Sequence, residues 1–180
     1  MSSIYASNKV VSLDCECNGL HGQIFAAAAS VQTRDDGERF TSQYRIPIDD
    51  PVDPWVAEHV LPVLDGPSAM LMTPGGDFRG MAGWWRSLYD PLKVEGYDVL
   101  VHVGWPVEAR FLWYAHMTNP FSGPFPLKDV SMTLEQSGHD PTDLTGFLGR
   151  ARMLDAVPGI EHQPLRDARA AALAYWILTR

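Results

Sequence analysis

The sequence predicts an α/β fold whose first three strands form an antiparallel meander, and three observations predict it. Near the N-terminus, three strand-like runs follow one another across short turns. A helix-like stretch over 78–92 then leads into the apolar run DVLVHVG, the helix-then-buried-strand order of an α/β protein. The chain closes on an alanine-rich helical segment from about Pro164 to Thr179. A length of 180 residues suits one well-filled core, so 1–180 is read as a single domain.

NKVVSLDCE supplies Val10, Val11 and Leu13 to a short buried strand, and Asn18-Gly19 turns the chain. QIFAAAASVQT, bounded by that turn and by Asp35-Asp36-Gly37, reads as the second strand. Its four alanines are weak strand formers, so a helix competes there. RFTSQYRIPI alternates Phe40, Ser42, Tyr44 and Ile46 with period two. DDPVDPWVAEHVLPVLDG reads as a short helix bounded by prolines, followed by the Gly/Pro-rich GPSAMLMTPGG. FRGMAGWWRSLYDPL has helical spacing through Phe78, Met81, Trp85 and Leu88. Pro106 suits the first turn of PVEARFLWYAHM. Beyond the proline-rich NPFSGPFPL, weaker helical signals lie near 131–137 and 142–153.

Hydrophobic residues make up 46% of the chain and charged residues 20%, a packed globular composition. The net charge of -8 opposes nonspecific coating of nucleic acid or anionic membranes. It leaves room for a nucleic-acid enzyme whose acids surround metal ions. Cys15 and Cys17, the only cysteines, cannot form a disulfide framework, and no stretch of about 18 apolar residues exists to span a bilayer. The N-terminus lacks the build of a secretory signal, and a cytoplasmic protein is expected.

Asp14 and Glu16 sit two apart on the first strand, on one face and about 6.5–7 Å apart, with Cys15 and Cys17 on the other. That spacing suits divalent cations, and hard oxygen ligands favour magnesium or manganese. The alternative is a solvated strand end. Glu108 is followed at helical intervals by Phe111, Leu112 and Ala115, and Asp167 by Ala170, Ala171 and Ala174, so both carboxylates lie on inward stripes. Buried acids need a partner, and a shared cation is one. The competing reading is a wet acid favouring its helix dipole, worth roughly 0.3–1 kcal/mol. His162 stands five residues before Asp167, placed to lean over such a site, and an imidazole suits base catalysis near neutrality. Arg150, Arg152 and Arg166 are candidates to hold a phosphate backbone, or else solvated helix residues. Trp105 is a candidate for stacking a base; Trp84, Trp85, Trp113 and Trp176 read as core.

Taken in order, LDCECNGL, VHVGWPVEARFL and EHQPLRDARAAALAYW resemble the three motifs of the DEDDh exonucleases, over almost the whole chain. The resemblance implies a ribonuclease H-like fold, with a mixed central sheet of about five strands flanked by helices. It implies a 3′-to-5′ exonuclease releasing nucleoside 5′-monophosphates from the 3′ end of single-stranded RNA or DNA, with two Mg2+ or Mn2+ ions. It makes Asp14, Glu16, Glu108 and Asp167 the metal ligands and His162 the base that activates water. Leu20 would pack against the terminal base, with the backbone near Cys17 holding the 3′ end. The sequence departs from the family where it has Glu108 for the usual aspartate and Gly104 where asparagine is common. A catalytically silent binding module on the same fold and an endonuclease are the rival readings, and a homodimer is compatible with the small size and the tryptophans.

Overall fold

The computed structural model describes residues 7–66, 70–119, 122–124 and 127–180; parts of the two predicted proline-rich loops lie outside them. Strands β1 (Lys9–Cys17), β2 (Ile24–Thr33) and β3 (Gly37–Arg45) form the expected antiparallel meander. Short helices α1 (Pro54–His59) and α2 (Leu61–Leu64) precede the long α3 (Phe78–Val94). Strand β4 (Asp98–Val101) pairs parallel to β1, and α4 (Val107–His116) follows it. The two-residue β5 (Lys128–Asp129), parallel to β4, completes a five-stranded mixed sheet of order β3-β2-β1-β4-β5. Helices α5 (Val130–Gln136), α6 (Leu144–Arg150) and α7 (Pro164–Leu178) close the chain. Among the described residues, no helix is long and apolar enough to cross a membrane.

Helices cover both faces of the sheet. Val11, Leu13 and Cys15 point into the core shared with α3 and α4, whereas Val10 joins the core built by α5, α6 and α7. Alternation along β1 therefore turns Asp14 and Glu16 toward α7. The alanine run of β2 is strand, and the competing helix is excluded: Ala26–Ala29 are fully buried and pair with both β1 and β3. α7 lies against β1 and β2, and its Ala168, Ala170, Ala171, Ala172 and Ala174 are buried, so small residues in helix and sheet allow a close approach. Trp85 and Trp176 are core as expected, but Trp113 is 69% exposed on the outer side of α4.

The β1–β2 turn is built around Gly19, whose φ is 72°, and Gly22, whose N–H donates to the Gly19 carbonyl at 3.0 Å. A Cβ on Gly22 would lie 1.8 Å from the main-chain oxygen of Asn18, and Arg110 of α4 donates to the carbonyls of His21 and Gly22, both at 2.7 Å. Gly22→Ala is expected to destabilise by more than about 1 kcal/mol, roughly 2–4 °C in Tm per kcal/mol at this size. Thermal unfolding monitored by circular dichroism checks it, and an unchanged Tm would mean that the turn has another conformation.

Candidate active site

Three elements bring four acids together. β4 stops at Val101, pairing β1 only at Val10–Ser12, so β1 continues past it with that edge open. Glu108 approaches this edge from α4, held in the core by Phe111 and Leu112, and its Oε1 accepts the Cys15 N–H at 2.9 Å. A carboxylate thus caps a main-chain donor left unpaired by the short neighbouring strand, which is why an acid only 5% exposed is tolerated. Asp167, in the first turn of α7, comes down onto the opposite face beside Asp14 and Glu16.

His162 lies just before α7 with φ of 65°, a left-handed conformation that turns its N–H onto Asp167 Oδ2 at 2.9 Å. Ligand atoms of Glu16, His162 and Asp167 lie within 4.8 Å of one another. The Trp55 ring of α1 meets the His162 imidazole edge-on at 5.1 Å and stacks on His59 at 4.9 Å. α1 is tied to the end of β1 by Asn18, whose Oδ1 accepts the Asp53 N–H and whose Nδ2 donates to the Pro51 carbonyl. A cleft of about 340 Å³ runs from Asp14, Glu16 and Asp167 past His162 to His102, Thr142, Asp143 and Thr145.

The remaining candidates are distributed around this centre. Leu20 is 59% exposed on the β1–β2 turn, and Cys17 packs partly against the core. Trp105, 78% exposed, sits on the β4–α4 loop. Arg150 is exposed and pairs with Asp143 at 3.2 Å. Arg166 is buried and pairs with Asp167 Oδ1 at 2.7 Å. Gly104 has a packing reason: a Cβ there would lie 2.5 Å from Val101 Cγ2, leaving no room for asparagine without a shift. Asp129, which the sequence reading missed, braces that loop by accepting the Val103 and Gly104 N–H groups on its two oxygens. Trp55 was missed too, although a tryptophan and a histidine four apart on one short helix share a face.

Burial, then the charges of Asp167, Glu108 and Glu16, holds the Asp14 carboxyl well above the usual range. Burial and then Asp167 and Glu108 do the same to Glu16. Burial pushes Glu108 up to about 7, against the pull of its main-chain hydrogen bonds. The clustered carboxylates, hard oxygens whose charges raise Asp14 and Glu16, suit magnesium or manganese, with the His162 imidazole beside them.

These raised values fix a pH dependence. A group whose folded pKa exceeds its unfolded value stabilises most below the unfolded pKa, about 4.3 for glutamate, and that contribution is lost as pH rises through the folded value. Glu38, lowered by its hydrogen bond from Arg169, acts in the opposite sense only near or below its ordinary value. His116, lowered by burial, adds stability as pH rises toward its ordinary value of about 6.5, one group against the several raised carboxyls. In chelator, Tm is expected to fall between about pH 5 and 8, and added Mn2+ to reverse the fall. A Tm that climbs across that window would contradict the acid cluster.

No protein-family model and no curated protein matches the chain. Among solved structures it is similar to the nuclease domain of 3'hExo, a DEDDh family member, bound to rAMP. The identity is 15% and the TM-score 0.61, over 99% of this chain and 92% of that one. The fold is ribonuclease H-like. In this ribonuclease H-like chain the acids sit on the strand edge and helix starts just described.

Proposed function

We propose that the chain, as one domain over 1–180, is a metal-dependent 3′-to-5′ exonuclease acting on single-stranded RNA or DNA. One observation carries the reading: Asp14, Glu16, Glu108 and Asp167 converge from β1, α4 and α7 beside His162, on the fold of a DEDDh nuclease domain. The rAMP bound to that structural neighbour is in keeping with a nucleoside monophosphate as product.

Two Mg2+ or Mn2+ ions held by the four carboxylates would lower the pKa of an attacking water and stabilise the leaving 3′ oxygen. Glu108, besides offering its carboxylate, fixes the end of β1 that carries Asp14 and Glu16 through the Cys15 N–H. His162 takes the proton of the attacking water as oxygen bonds to phosphorus and the bond to the penultimate 3′ oxygen breaks, freeing a nucleoside 5′-monophosphate. Leu20 and Trp105 offer apolar surface to bases, the backbone at Cys17 a support for the 3′ end, and Arg150 a contact for phosphate. Cytoplasmic residence and a homodimer belong to the same reading, in keeping with free thiols and exposed Trp105 and Trp113.

Incubation with 5′-labelled single-stranded RNA and DNA, in manganese, magnesium or chelator, tests it. A shrinking ladder that needs metal is expected, and a cut circular substrate would make the chain an endonuclease. The second reading, a silent binding module, draws on both Asp167 oxygens already accepting hydrogen bonds. Binding with no nucleotide release in either metal would decide for it.

A further inference from the structure

The α7 acid already has a cation. Arg166 is only 6% exposed, and its guanidinium donates to Asp167 Oδ1 at 2.7 Å and to Thr145 Oγ1 at 3.2 Å from both terminal nitrogens. Its Nε is buried with no hydrogen-bond partner among the described residues. The other Asp167 oxygen accepts the His162 N–H. Burying a guanidinium against a single carboxylate beside an acid cleft is costly unless its charge has a use, because each removed water must be replaced by a partner. This arginine lines the acid cleft itself, and its charge falls directly on Asp167, the carboxylate it pairs with. Through Asp167 it bears on Asp14 and Glu16, which that carboxylate faces.

We propose that Arg166 is the resident counter-ion of the acid cluster and weakens its affinity for divalent metal. The inference rests on the proposed metal-dependent reading. With no ion bound, the guanidinium neutralises Asp167 and holds its carboxylate between two donors, so that four clustered acids can be buried together. A dication binding Asp167 through either oxygen faces the Arg166 guanidinium across one carboxylate, so two positive groups compete for the same negative charge. Arg166 is thus a positioning residue that acts through Asp167, and the site it leaves is one that loads and unloads metal readily.

Calorimetric titration of Mn2+ and Mg2+ into the full chain, wild type against Arg166→Gln, tests this without reference to turnover. Removing the competing charge is expected to tighten Mn2+ binding by about ten-fold or more, while Tm in chelator drops and the metal-induced rise in Tm grows. Arg166→Lys keeps the charge without the fork that reaches Thr145 and Asp167 together, and is expected to bind between the two. Arg166→Met, which fills the same channel without charge, replaces the glutamine variant if that does not fold. Unchanged or weaker Mn2+ binding in the uncharged variant would overturn the proposal, making Arg166 a support for Asp167 as ligand; so would absence of Mn2+ binding in every variant. Tighter binding by the uncharged variant of a protein that shortens no nucleic acid would uphold the counter-ion and discard the nuclease. A metal-dependent ladder with equal affinities would do the reverse.

Discussion

Asp14→Asn is expected to raise the Tm of the chelated protein while abolishing metal-dependent nucleotide release. The two effects have one origin. Asp14 is the acid most crowded by others, its carboxyl pushed up by burial and by Asp167, Glu108 and Glu16. Amidation removes that repulsion at neutral pH, and each pKa unit relieved is about 1.4 kcal/mol, or roughly 2–4 °C per kcal/mol of Tm at this size. The same change takes an anionic oxygen from the metal centre, where several kcal/mol of charge stabilisation are lost and the rate falls by about 10³-fold or more. Asp167→Ala behaves differently, because it strands the buried Arg166 guanidinium and lowers Tm in chelator. Opposite signs at two residues of one cluster separate a metal-binding centre from a solvated acidic edge, where neither change would move the stability beyond about 0.5 kcal/mol. An Asp14→Asn protein that melts lower and still shortens its substrate would sink the assignment.

The parts of this site legible in the sequence were those where periodicity fixes direction. Two acids two apart on a strand must share a face, and Glu108 and Asp167 each head a stripe whose members, from Phe111 to Ala174, are buried. What could not be read is what lies between elements. The alanines of β2 are weak strand formers, and the strand read there from its bounding turns holds, with Ala26–Ala29 paired to β1 and β3; that α7 lies against this strand is what its pattern does not show. Two-residue β5 has no period to detect, yet it brings Asp129 to the loop of Gly104. Arg166 reads as a phosphate-backbone candidate or a solvated helix residue, since nothing in its spacing announces burial with an ion pair to the next residue and hydrogen bonds to the facing Thr145. Trp113 shows the converse: hydrophobic type alone placed it inside, whereas its position on the outer side of α4 leaves it exposed.

His162→Ala is expected to lower kcat by about 10²- to 10⁴-fold, the usual contribution of a positioned base, with KM and Mn2+ affinity little changed. Its imidazole lies with the Glu16 and Asp167 oxygens inside a 4.8 Å cluster, whereas its backbone, through the N–H to Asp167 Oδ2, does the structural work. Alanine retains that N–H, so the carboxylate stays oriented when the side chain is gone. Only the proton acceptor is lost. The cavity left beside the exposed edge of Trp55 opens to the cleft, and free imidazole in solution should restore part of the rate. A His162→Asn variant tolerates the left-handed backbone, cannot accept a proton near neutrality, and should be as slow as alanine without imidazole. If His162 were a metal ligand instead, both variants would weaken Mn2+ binding and imidazole would not act through the pH profile. A kcat profile unaltered by either substitution would remove the base from the mechanism and leave the acids to act alone.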